Sequence, residues 1–301
     1  MALILYSYDF ICFAIVAAAV AASLWLLLVK EGSDKGVDGP TVESLLVGRE
    51  ENEVVGFRHD GGETQVGSAR LWTSCWRGMH PVWLLATRSV SFLVLTALLT
   101  WDVMEWGSSI FVYYTEWTFA LVMIYFAMGI IASAYGCFKS SDFNMEHRQR
   151  LSIWGYLMQA VYQTCGGAVV LTDIVFWLVI VPFLSNSHLG LNLLTGCMHI
   201  ANFVLLLLDT ALNNLPFPWY RIAYFVQWSC LYVVFQWIIH ACGFTWWPYP
   251  FLELDRPWAP IWYLCMTIVH IPCYGAYAAI VRAKNSNLPN LFPNAFVKSY
   301  C

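Results

Sequence analysis

The chain has 301 residues, 59% of them apolar, 17% aromatic and only 11% charged, whereas an ordinary soluble domain carries roughly 25% charged residues. A net charge of −4 excludes a basic nucleic-acid-binding surface, so no nucleic-acid partner is expected. The apolar content excludes general disorder and leaves too few polar residues to cover a soluble enzyme. The expectation is an all-α polytopic membrane bundle, built from apolar segments of about 20 residues.

Seven such segments occur in chain order, at 8–29, 81–101, 108–138, 159–184, 189–212, 221–243 and 258–281. Each is long enough to cross about 30 Å at 1.5 Å per residue. No Lys or Arg precedes the first, and its apolar run exceeds the 7–15 residues of a signal peptide, so it reads as a retained span. The organisation is then an extra N-terminal helix (1–29), a flexible cytosolic linker (30–80), a six-helix membrane core (81–284) and an irregular cytosolic tail (285–301). With the N-terminus outside and the C-terminus cytosolic, 13 of the 15 Lys and Arg fall on the cytosolic side. Arg256 lies outside and Arg88 within a span. This asymmetry is the positive-inside pattern of an integral membrane protein of the endoplasmic reticulum, another endomembrane or the plasma membrane.

The linker carries six basic and nine acidic residues around Gly61-Gly62 and reads as solvated chain, with a cytosolic partner as the functional alternative. The ten cysteines form no CxxC pair, and no Walker loop, GxSxG or HExxH occurs. No metal or cofactor is expected. Two facing histidines can ligate haem, but only His199, His240 and His270 fall within spans, short of the four a transmembrane di-haem protein uses.

Ionisable groups inside a membrane are expensive and mark candidate sites. Here they are Arg88, Glu116, Asp173, His199, Asp209, His240 and His270. Arg88 with Asp173 or Asp209 reads as a structural ion pair. Counting from the outer ends of the spans, Thr115 lies about 10 Å deep and His199 about 15 Å deep, with His240 shallower. Helix tilt absorbs that difference, so the three can share an outer cavity. A Thr hydroxyl becomes a nucleophile when a neutral His takes its proton, and a membrane-embedded pair suits an ester carried on an acyl chain.

Three tracts carry a family resemblance: Tyr114-Thr115-Glu116-Trp117-Thr118-Phe119, Gly196-Cys197-Met198-His199, and His240 followed by Trp247-Pro248-Tyr249-Pro250-Phe251-Leu252-Glu253. Over roughly residues 80–284 the chain resembles the androgen-induced protein and rolling-stone superfamily of multispan membrane proteins, in its plant-type branch. Some members are threonine hydrolases of fatty-acid esters. The resemblance implies Thr115 as nucleophile, His199 as base and His240 as a substrate or oxyanion contact; Glu116, beside Thr115, is a further candidate contact that the hydrolase pattern does not supply. Membrane lipids and a lipid ester are the implied partners. Glu116 and Trp117 match the rolling-stone pattern more closely, which implies the alternative of a non-enzymatic membrane scaffold or signalling protein.

Overall fold

A computed structural model describes residues 6–33, 70–138, 145–184 and 191–296, with side chains described from residue 153 in the third stretch. Most of the expected linker (34–69) and the last five residues of the tail lie outside the described residues. Seven helices are long and apolar enough to cross a membrane, and no strand occurs among the described residues. They are α1 (Asp9–Ser33), α2 (Pro81–Trp106), α3 (Tyr114–Phe138), α4 (Met145–Val175), α5 (Leu193–Leu212), α6 (Ile222–Ala241) and α7 (Ala259–Leu291).

Helix α4 is central and packs against α3, α5, α6 and α7. Its run Cys165-Gly166-Gly167-Ala168 is buried. Small residues allow close approach where lipid supplies no hydrophobic drive. A Cβ on Gly166 would stand 2.7 Å from the Tyr277 ring, and one on Gly167 would stand 2.5 Å from the Phe225 ring. Helix α1 lies against α6 and α7, with Phe13 edge-on to Trp237 at 4.7 Å. Its Glu31 accepts from the Tyr156 hydroxyl (2.6 Å) and Tyr224 (3.1 Å) and pairs with Arg221 Nε at 3.3 Å.

Two element boundaries differ from expectation. Mean hydropathy stays high across 108–112, where Ile110, Phe111 and Val112 outweigh Ser108 and Ser109, but the chain turns there: Gly107, at φ 74°, caps α2, and Gly107–Val112 forms a 3-10 turn before α3 starts. At the other end of the chain the tail is not irregular from 285. Helix α7 continues through Pro289 to Leu291, where polar residues hid its periodicity.

Arg70 to His80, the part of the expected linker next to α2, is packed rather than solvated, with Leu71, Trp72 and Cys75 buried. The physical reason is the end of α5. A helix leaves its last four carbonyls without internal partners, which is expensive away from water. Leu212 O accepts from Cys75 N (3.1 Å) and Ser74 Oγ (2.7 Å), and Ala211 O accepts from Trp76 Nε1 (3.0 Å). Lys284 Nζ donates to Thr210 O and Asn213 O, both at 2.9 Å, a cation placed at the negative end of the helix dipole.

Beside this cap, Arg88 is fully buried and pairs with Asp209, not Asp173, at 2.8 Å. It also donates to Leu71 O, Gly129 O and Ser133 Oγ. Asp209 Oδ2 accepts from Tyr125 and from Asn213 Nδ2. The polar groups at this end hold helices together.

Candidate functional site

The opposite end of the bundle opens into a cavity of about 540 Å³. Its walls come from the end of α2, the 3-10 turn, the starts of α3 and α5, the end of the fourth span and the loop after α6. Thr115, Glu116 and His199 all line it.

Thr115 is the second residue of α3, so it stands at the mouth of the bundle rather than well within a span. The boundary shift at Gly107 accounts for the change. The first-turn N–H groups of α3 have no intrahelical acceptor, and the Tyr249 hydroxyl accepts one of them, from Tyr114 N at 3.1 Å. The same hydroxyl interacts with the Thr115 side chain. Burial, and then the charge of Glu116, push the Tyr249 phenol up from its usual range, so it keeps its proton and remains a donor.

His199 is the seventh residue of α5, about 9 Å from its start. Asn192 and Thr195 form a reciprocal capping box that fixes where α5 begins. The imidazole is 4% exposed and stacks on Phe176 at 3.9 Å. Its Nδ1 faces Asp173 Oδ1 at 2.9 Å. A carboxylate accepts, so Nδ1 carries a proton, and in the neutral imidazole Nε2 then keeps its lone pair. Phe176 opens a π-helical stretch, Phe176–Leu184, that contains Pro182. Proline supplies no N–H, and wide turns of this kind recur at functional sites. Here the stretch carries Phe176 and Ile180 into the cavity wall.

His240 stands behind the wall. Its Nδ1 lies 2.7 Å from Gln236 O and its Nε2 lies 3.0 Å from Trp246 O. Its ring stacks on Trp247 at 3.7 Å, and Trp247 is the residue that meets the cavity. Glu116 is buried, with Oε2 lacking a hydrogen-bond partner among the described residues.

A second, smaller cavity of about 80 Å³ adjoins the first, and Thr115, Ile180 and Tyr249 line both. It runs between Leu171, Val175, Val233, Phe251 and Met266 toward His270. Thr115 therefore sits where the two chambers meet.

Three residues of the site have roles that sequence reading does not assign. Asp102 lines the large cavity and is 4% exposed, yet it fell one residue past the expected end of its span. Asp173 was visible as an intramembrane carboxylate, but its partner depended on which helices are neighbours. Tyr249 lay in a recognised tract without an assigned role. Among the described residues no group of three or more His, Cys, Asp or Glu is placed to hold a metal ion. In comparisons with known proteins, no family model matches the chain, and no curated protein and no solved structure matches it.

Proposed function

We propose that the chain is a membrane-embedded hydrolase of lipid esters, akin to the threonine hydrolases of the androgen-induced protein superfamily. One observation carries the reading: Thr115 and His199 wall the same cavity, and His199 Nδ1 is engaged by Asp173. The open cavity end faces the non-cytosolic side in the orientation favoured by the Lys and Arg distribution.

Thr115 Oγ1 attacks the ester carbonyl while His199 Nε2 takes its proton. Asp173 fixes the tautomer and stabilises the imidazolium, as the third member of such triads does. The tetrahedral oxyanion takes a hydrogen bond from the Tyr249 O–H, which turns to it from the Thr115 side chain. Collapse breaks the ester C–O bond, and the departing alcohol takes the proton back from His199. Water, deprotonated by His199, then releases the acid from Thr115. The apolar cavity beyond Thr115 suits the acyl chain. Glu116, next to Thr115 in the same cavity wall, is a substrate or oxyanion contact, and His240 positions Trp247.

The test is fluorophosphonate labelling of detergent-purified protein. Labelling of wild type, lost in Thr115→Ala and His199→Ala, is the expected pattern. An unlabelled, well-folded wild type, or labelling that survives Thr115→Ala, overturns the proposal.

A further inference from the structure

The large cavity holds more than the hydrolytic pair. Two carboxylates, Asp102 and Glu116, line it, 4% and 8% exposed, and no Lys or Arg lies among its lining residues. Glu116 Oε2 meets no donor among the described residues. A buried carboxylate without a hydrogen-bond partner is a strong liability unless a donor or a positive charge offsets it. The remaining wall is rich in aromatic faces: Trp106, Tyr113, Trp246 and Trp247. Tyr113 and Trp246 lie 6.0 Å apart, ring centre to ring centre, and Trp247 is held by its stack on His240.

The combination discriminates among cations. A small hard metal ion needs several converging oxygen ligands, and no such group is present among the described residues. Primary ammonium ions are strongly hydrated and lose much on entering an aromatic chamber. A quaternary ammonium cannot donate hydrogen bonds, is weakly hydrated and is attracted to aromatic faces. Carboxylates nearby add attraction in a partly desolvated site. The cavity of about 540 Å³ lies within the range of roughly 300–1,000 Å³ usual for small-molecule sites.

We infer that this cavity binds a trimethylammonium group, held between Asp102 and Glu116 and the Trp and Tyr walls. Binding itself is independent of the proposed hydrolase; only the substrate class rests on that reading. Thr115 opens onto the same chamber, so the substrates become esters that carry a quaternary ammonium group. That group belongs either to a lipid headgroup or to a free molecule.

The test uses full-length protein in maltoside detergent, with tryptophan fluorescence as readout. Choline is titrated against its neutral isostere 3,3-dimethyl-1-butanol. Saturable choline quenching, at least ten-fold tighter than the isostere, is expected. Asp102→Asn with Glu116→Gln weakens choline at least ten-fold, and Trp247→Leu weakens it with both carboxylates intact. Equal binding of isostere and choline overturns the inference in wild type alone, so it does not depend on the variants folding. Undiminished choline affinity in the monodisperse double variant overturns it as well. Lysophosphatidylcholine bound more tightly than choline assigns the group to a lipid headgroup, whereas equal affinity assigns it to a free molecule; either supports the site. Choline binding in Thr115→Ala separates the two proposals. Binding without fluorophosphonate labelling of wild type overturns the hydrolase alone. Labelling with isostere bound as tightly as choline overturns the cation site alone.

Discussion

Asp173→Asn isolates the contribution of one contact to the proposed chemistry. In wild type the carboxylate faces His199 Nδ1 at 2.9 Å, with side-chain exposures of 20% for Asp173 and 4% for His199. A hydrogen bond to a charged group contributes about 1.5–3 kcal/mol. Asparagine keeps the volume and removes the charge, so the bond no longer stabilises the imidazolium that forms when Thr115 is deprotonated. At about 1.4 kcal/mol per decade of rate, labelling by the fluorophosphonate slows roughly 10- to 150-fold. The upper end applies if the amide turns its NH2 toward Nδ1, because the proton then moves to Nε2 and the base is lost. Asp173 is the more exposed partner, so the fold tolerates the change. The assay is a labelling time course at matched protein concentration, with Thr115→Ala as the zero and a thermal melt alongside. An Asp173→Asn variant that melts like wild type and labels within two-fold of its rate refutes the assignment of Asp173 to His199.

Three further predictions concern the frame. Arg88→Met strands Asp209 in the protein interior and destabilises by about 3–5 kcal/mol, while adding Asp209→Asn recovers more than half of that loss in thermal melts; purely additive losses would show that the two do not act as a pair. Gly166→Val drives a side chain into the Tyr277 ring, which a Cβ alone would meet at 2.7 Å, so it costs about 1–3 kcal/mol. Gly275→Ala, 3.3 Å from Trp219, lowers the melting temperature less. Finally, a protease site engineered within 34–69 and cut leaves the fragment ending near Ser33 co-purifying with the bundle. Glu31→Ala, which removes the bonds to Tyr156, Tyr224 and Arg221, releases it under the same detergent conditions.

The number of spans was legible because an apolar run of membrane-crossing length is a property of the chain alone. What was lost is informative. Residues 108–112 are as apolar as a span, and the break depends on one glycine at positive φ, so hydropathy joined the turn to α3 and placed Thr115 too deep. Lys284 read only as one of the cytosolic-side cations because sequence gives no account of the carbonyls at the end of α5 that it satisfies. Pairings such as Arg88 with Asp209 and His199 with Asp173 depend on which helices are neighbours, and that depends on glycine contacts such as Gly129 under Arg88 and Gly166 under Tyr277.

The two ends of the bundle treat buried polarity differently, and the difference separates frame from site. Asp209 is 2% exposed, and its oxygens receive bonds from Arg88, Tyr125 and Asn213. The carbonyls at the end of α5 are met by Lys284, Ser74, Cys75 and Trp76. Apart from Arg88 Nη2, which has no partner among the described residues, this network is satisfied, and such a network rigidifies and offers little to a ligand. At the cavity end Glu116 is about as buried, yet its Oε2 has no partner among the described residues, and His199 presents a nitrogen that Asp173 does not use. Folding alone does not favour an unsatisfied carboxylate beside an open chamber, because a glutamine or an apolar residue there would carry less penalty. Local rules are broken at functional sites. One such break, at Glu116, falls at the cavity shared by Thr115 and His199, which is where substrate would have to enter.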